Sequence, residues 1–211
     1  CKHSNQKIIL LNDQNLADYI RLPDYIEKKK DAGQIPIARY ANLIEFALLE
    51  HYGGTWIDST VYLTDPIPDM ILNSDFFAVR NSLLLIDNPV LYPAWFLHAK
   101  KGNKTIREIR NVAFAYWLKN EHVIEYLLPN LIITLVVKSN PEVEKAIPYM
   151  NSDYSEYLVK VLADDYSEEK WNWIKKLTGI HKLTYKLDAD IKHGHNFYDY
   201  LITSSDEKNT K

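Results

Sequence analysis

The segment that most constrains the fold is a run of helical periodicity that ends at a pair of glycines. From residue 37 to 51 apolar side chains recur every three to four positions, as an amphipathic helix requires. One face of the predicted helix carries Ile37, Ala41, Ile44 and Leu48, and Tyr40 and Ala47 lie beside it. Gly53 and Gly54 then allow a sharp turn, and the β-branched and aromatic residues at 55–57 favour a strand. The segment therefore predicts a core-facing helix, a tight turn and a strand.

Shorter patterns predict an α/β layer followed by a helical region. The strand candidates are residues 7–11, 55–57, 75–80, 95–99 and 181–187. The helix candidates are residues 23–32, 37–51, 103–120, 121–137, 141–149, 154–164 and 167–177. Strands and helices alternate early and helices cluster late, which is typical of an α/β fold with a helical C-terminal part. We expect one domain over residues 1–203 and a polar, disordered tail over residues 204–211.

Charge and cysteine content exclude several classes of protein. The chain has 25 basic and 28 acidic side chains, a net charge of −3, which argues against a nucleic-acid-binding surface. The single cysteine, Cys1, excludes a disulfide framework and a cysteine-based zinc site. No apolar run reaches the roughly 20 residues that span a bilayer. We therefore expect a soluble, cytoplasmic protein.

Asp58 is the first candidate for chemistry, because it directly follows the strand predicted over residues 55–57. Ligands of open α/β sheets bind beyond the carboxyl ends of the strands. A carboxylate at that place is also a hard oxygen ligand that suits a divalent cation. An Asp followed by Ser59 and Thr60 is equally typical of a plain turn. The residues alone leave both interpretations open.

Residues 35–66 resemble the central block of the capsular polysaccharide synthesis glycosyltransferases, relatives of bacterial and fungal mannosyl- and galactosyltransferases with a DxD motif. The most specific part is Tyr-Gly-Gly-Thr-Trp-Ile-Asp at residues 52–58. Two weaker blocks, residues 95–117 and 181–186, match in the expected order. The resemblance extends over most of the chain.

The resemblance implies an A-type glycosyltransferase fold, a Rossmann-like sheet that binds a nucleoside diphosphate sugar with Mn²⁺ or Mg²⁺. Asp58 would take the first position of DxD as the catalytic and metal-binding carboxylate. The donor-binding residues nearest to it would be Gly53, Gly54, Ser59 and Thr60. By analogy with the family, the implied reaction moves a sugar from a UDP-sugar to a bacterial capsular or surface glycan with retention of configuration. Relatives begin with a further strand ahead of Cys1, so we expect either a trimmed chain or an incomplete base pocket.

The sequence departs from the family pattern at three positions. Thr60 replaces the second aspartate of DxD, and a hydroxyl is a weaker ligand for a hard cation than a carboxylate. On the preceding helix many relatives carry an Asp and an Arg three residues apart that reach the donor; here the positions are Asn42 and Glu45. Asn42 still has hydrogen-bonding groups for a sugar, and Arg39 is a candidate for the lost cation. These changes keep open a non-catalytic protein that binds glycan or a partner.

In the last block the resemblance places His181 near the metal and Lys182 and Lys186 at the diphosphate. The alternative is a strand whose lysines form one solvent-facing row. Aromatic side chains in 112–117 and 121–127 suggest an acceptor lid, peripheral docking at the inner face of the membrane where lipid-linked glycans lie, or ordinary core.

Overall fold

The computed structural model describes residues 6–82, 87–187 and 194–209, with side chains described up to residue 204 in the last helix. The sequence predicts one domain, whereas contacts group the described residues into two compact units. The large unit comprises Lys7–Asp58 and Pro68–Asn151, and the small unit comprises Ser59–Ile67 and the residues from Ser152 onward. Each unit is described by itself.

The large unit contains seven helices and three strands among its described residues. The helices are α1 Leu16–Tyr19, α2 Asp24–Asp31, α3 Ile37–Tyr52, α4 Asp69–Leu72, α5 Lys104–Lys119, α6 Leu128–Lys138 and α7 Pro141–Ala146. The strands are β1 Gly54–Ile57, β3 Phe76–Ala78 and β4 Phe96–Ala99; β2 lies in the small unit.

The sheet of the large unit has the order β1-β4-β3 with both pairings antiparallel. His98 of the central strand faces Thr55 of β1 in the register, and their side chains are hydrogen-bonded at 2.9 Å. Every residue of β4 is buried, as expected for a strand covered on both faces.

Helix α3 packs against α5, and their apolar faces form the core of this unit. The predicted stripe is correct at Tyr40, Ile44 and Ala47, which are buried, but wrong at Ile37, which is 72% exposed. The buried residues of α3 are centred instead on Leu43 and its neighbours, from Leu43 to Ala47 and at Leu49. The predicted order of helix, turn and strand is confirmed: α3 ends where the Gly53 N–H donates to the Leu49 carbonyl at 2.9 Å, and β1 follows.

The small unit contains β2 Val61–Leu63 and β5 Ile180–Lys182, which form an antiparallel pair. Its helices among the described residues are α8 Ser152–Ser155, α9 Tyr157–Lys160, α10 Glu168–Leu177 and α11 Phe197–Asn209. Aromatic side chains build its core: the Trp171 and Phe197 rings lie 6.3 Å apart, and Tyr166 stacks on Tyr200 at 4.0 Å.

Several predicted elements are wrong or shortened. The strand predicted over 75–80 is Phe76–Ala78, the helix predicted over 141–149 ends at Ala146, and that predicted over 154–164 is the two short helices α8 and α9. Residues 7–11 form no strand and leave Leu10 80% exposed, because the chain there pairs with none of the described strands. Residues 121–127 are not helical; α6 begins at Leu128, and Pro129 in its first turn needs no helical N–H partner. The strand predicted over 181–187 ends at Lys182, because its partner β2 has only three residues.

The whole is a mixed α/β protein in which each described strand pairing is antiparallel. The Rossmann-like sheet stays a prediction. Helix α11 continues through Asn209, across positions where the sequence predicts a disordered tail. Within the part of the chain that the structure describes, no helix has both the length and the apolar character needed to cross a bilayer.

Candidate functional site

Asp58 lies at the open end of β1, held by two hydrogen bonds. Its backbone N–H donates to the Trp95 carbonyl at 3.0 Å, which extends the pairing of β1 with the segment before β4. Its carboxylate Oδ1 accepts from the Trp56 indole Nε1 at 3.1 Å. The side chain is half-buried, so it remains accessible to a ligand while the indole restricts its orientation.

A row of polar side chains runs along one face of α3. Arg39, Asn42 and Glu45 are spaced three residues apart, which places them above one another on a helix. The Arg39 guanidinium Nη1 donates to Asn42 Oδ1 at 3.0 Å, and Asn42 Nδ2 donates to Glu45 Oε2 at 3.0 Å. The Arg39 guanidinium also lies 4.6 Å from the centre of the Tyr126 ring, a cation–π contact. These contacts hold the three side chains in place along the helix, from half-buried Arg39 to buried Glu45.

Glu45 is the most unusual group in this unit, because its side chain is fully buried and Oε1 has no hydrogen-bond partner among the described residues. Burial raises the pKa of Glu45 well above its ordinary value; the Asn42 hydrogen bond opposes the shift, and the negative charge of Asp58 adds to it. Burial therefore favours the neutral, protonated form of the Glu45 carboxyl. The sequence analysis assigns no role to Glu45, although the apolar residues on either side of it within 43–47 indicate burial.

The raised pKa of Glu45 makes stability depend on pH. A raised folded-state pKa means that the folded chain binds more protons than the unfolded chain above pH 4.5, so this contribution to stability falls as pH rises. For Glu45→Gln we expect this dependence of stability on pH to disappear. The wild-type free energy of unfolding, relative to that of the variant, should fall by about 1.4 kcal/mol per pH unit above pH 4.5 until the folded-state pKa is reached.

Urea unfolding followed by circular dichroism between pH 5 and 8 measures this difference. Glu108→Gln makes the same change at an exposed side chain on α5 and controls for the loss of a carboxyl group. A wild-type to variant difference that stays constant over the range would mean that Glu45 is ionised in the folded protein.

The two glycines predicted to bind the donor, Gly53 and Gly54, have different surroundings. A Cβ on Gly53 would lie 2.4 Å from the Lys101 backbone nitrogen, so the chain itself fills the space beside this residue. A Cβ on Gly54 would meet nothing within 4 Å. Of the pair, Gly54 is the one with space for a ligand.

The small unit holds the other predicted residues. The Lys182 ammonium donates to the Thr60 hydroxyl, and the Leu183 N–H donates to the Thr60 carbonyl at 2.7 Å. Ser59 is exposed. Lys186 extends from the loop after β5, with its Nζ 5.8 Å from the centre of the Tyr185 ring. Thr60 and Lys182 are thus brought together.

His181 is enclosed in the core of the small unit. Its side chain has no exposed surface, Nε2 is hydrogen-bonded to the Thr64 hydroxyl at 3.1 Å, and Nδ1 has no partner among the described residues. Burial lowers the pKa of His181 to about 4, opposed by the charge of Asp65, so the ring is neutral at physiological pH. In this setting His181 packs as a neutral core side chain beside Trp171. Its assignment as a metal ligand stays a prediction.

No group of three or more His, Cys, Asp or Glu side chains among the described residues is arranged to hold a metal ion. Trp95 is 7% exposed and belongs to the core.

A family model described as capsular polysaccharide synthesis protein matches residues 1–201. A search of the curated proteins finds no match to the sequence.

Proposed function

The chain belongs to the capsular polysaccharide synthesis protein family, and from that premise we propose that it is a glycosyltransferase. It transfers a sugar from a nucleoside diphosphate sugar, with UDP as the nucleotide, to a glycan or lipid-linked glycan of the bacterial capsule. The proposed fold is of the glycosyltransferase A type, and the proposed reaction retains the anomeric configuration.

The observation that carries the proposal is the setting of Asp58. A carboxylate at the end of a strand, half-buried and oriented by the Trp56 indole, is ready to bind without first being ordered. Burial raises the pKa of the nearby Glu45 carboxyl and so favours its neutral form, in which Asp58 carries the local negative charge. This arrangement suits a site that receives a cation together with a diphosphate.

The residues fit Mn²⁺ or Mg²⁺ only when the donor provides most of the ligands. Nucleotide sites commonly hold such ions through one or two carboxylates, with phosphate oxygens and water completing the shell. Asp58 would be that carboxylate, and the absence of a larger ligand cluster in the described part of the chain agrees with such a shell. When bound, the ion neutralises charge on the diphosphate leaving group.

Arg39 and Asn42 supply the proposed donor contacts of the large unit. Asn42 uses its oxygen on Arg39 and its nitrogen on Glu45, so it orients both neighbours. Arg39 retains further N–H donors, because a guanidinium carries more of them than the Asn42 bond uses. Arg39 therefore contacts donor oxygens, and Asn42 positions it. For Ser59, Thr60, His181, Lys182 and Lys186 the proposed roles rest on the sequence resemblance.

Calorimetric titration with UDP tests the proposal. We expect UDP to bind at least about tenfold more tightly with Mn²⁺ than with EDTA, because the ion links the carboxylate to the phosphates. Titration with uridine, which lacks phosphates, is the matched control and should show no effect of Mn²⁺.

A second candidate is a non-catalytic family member that binds glycan or a partner. The observation that favours it is the buried carboxyl of Glu45, with its raised pKa, where the resemblance places a cation. Such a protein would give no Mn²⁺-dependent heat with UDP. That result would replace the first proposal with the second.

A further inference from the structure

A cavity of about 510 Å³ lies in the large unit, where the connector between α1 and α2 passes over α3 and α5. We call it the Arg21 cavity. The residues that determine its chemistry are Tyr19 at the end of α1, Arg21 of the connector, Glu50 and His51 of α3, and Arg110 and Phe114 of α5. Its volume is within the range of sites that bind small molecules, about 300–1,000 Å³.

The charges around the Arg21 cavity favour an anion. The Glu50 carboxylate is shared by two guanidinium groups, with Arg107 Nε at 3.1 Å and Arg110 Nη1 at 3.5 Å. Arg21 is exposed and makes no ion pair with any residue that the structure describes. The cavity lining thus carries two guanidinium groups, those of Arg21 and Arg110, and one carboxylate, Glu50, which is already ion-paired. A carboxylate or phosphate group in the cavity would balance the remaining positive charge with charge-assisted hydrogen bonds.

The walls of the cavity favour a ring next to that anionic group. Phe114 and Tyr19 contribute aromatic surface, and the Arg110 guanidinium lies 5.7 Å from the centre of the Phe114 ring. The Tyr52 hydroxyl donates to the Tyr19 carbonyl at 2.9 Å, which ties the connector to the end of α3 and holds this wall in place. Aromatic faces are apolar surfaces with a negative quadrupole, and they suit the C–H faces of a pyranose.

The cavity is separate from Asp58. It reaches Glu50 and His51 at the end of α3, after which come the glycine turn and the four residues of β1. A strand rises about 3.3 Å per residue, so β1 alone places about 13 Å between the turn and Asp58. Asp58 is not among the residues that line the cavity, so a ligand there would make different contacts from a donor diphosphate at Asp58.

We propose that the Arg21 cavity binds an acidic saccharide, a pyranose that carries a carboxylate or phosphate, as a second subsite for a glycan. The choice of a saccharide rests on the proposed function, whereas the binding of an anion with a ring rests on the cavity alone. Arg21 and Arg110 bind the anionic group, and Phe114 packs against the ring.

Saturation-transfer NMR on the full chain with glucuronate as the probe tests this assignment. We expect saturable binding of glucuronate, none of glucose at equal concentration, and binding about tenfold weaker in Arg21→Gln and in Arg110→Gln. Arg21→Gln removes no ion pair of the described structure, so it tests the site even if Arg110→Gln does not fold. Lys104→Gln removes a charge from the exposed start of α5, outside the cavity, and should change nothing.

Two results would overturn the assignment: no saturable binding of glucuronate, or binding unchanged by Arg21→Gln. Inorganic phosphate that displaces glucuronate at equal concentration would show that the cavity recognises charge alone, and the saccharide assignment would be wrong. Asp58→Asn should leave glucuronate binding intact, and Arg21→Gln should leave UDP binding intact. Failure of one proposal can thus be distinguished from failure of the other.

Discussion

Replacement of Asp58 by asparagine is expected to reduce turnover of a UDP-sugar about 100- to 1,000-fold, the scale for loss of one preorganised charge at a reacting centre. Asparagine has nearly the same shape, and its amide oxygen can still accept the hydrogen bond from Trp56 Nε1. The variant therefore removes the charge and keeps the local geometry. The measurement is release of UDP from the donor, with and without added acceptor.

The matched control is Asp75→Asn, the same chemical change in the same unit. Asp75 is 80% exposed and pairs with Lys100 at 2.7 Å, an arrangement that contributes little to stability. Both variants should unfold at the temperature of the wild-type protein within a few degrees. UDP release by a folded Asp58→Asn protein at the wild-type rate would disprove the catalytic role of this carboxylate.

Replacement of Gly53 by alanine is expected to destabilise the large unit by more than about 3 kcal/mol, a large part of the stability of a typical domain. Gly53 has φ 71° and ψ −169°, a region that is essentially restricted to glycine. Its Cβ would also lie 2.4 Å from the Lys101 nitrogen and 3.0 Å from the Ala99 carbonyl oxygen. Both neighbours are backbone atoms, so no side-chain rotation can relieve the contact, and β1 or β4 must shift.

Gly33→Ala separates the two causes. Gly33 has nearly the same φ, 72°, but nothing lies within 4 Å of a Cβ there, so we expect a loss of only about 1 kcal/mol from the positive φ. Urea unfolding at neutral pH measures both variants. Equal losses in the free energy of unfolding would show that the close approach of Lys101 contributes nothing, and that the positive φ alone requires glycine at position 53.

The segment 37–58 was predictable because its signals are local. Helical periodicity, two glycines and a β-branched strand act within a few residues of each other, and α3 and β1 form as expected. Residues 7–11 show the limit of the same reasoning. Their apolar run has the composition of a strand, but a strand also needs a partner, and no described strand pairs with them.

The sequence by itself determined the helix, the turn, the first strand and the position of Asp58 at its end, since these depend on propensities and glycine conformations of neighbouring residues. Only the tertiary structure decided that Glu45 is a buried carboxyl with a raised pKa and that His181 is a neutral core side chain. Protonation depends on the water and charge that surround a group. For Glu45 those surroundings include Asp58, thirteen positions further along the chain, and for His181 they include Thr64 and Asp65, more than a hundred positions before it.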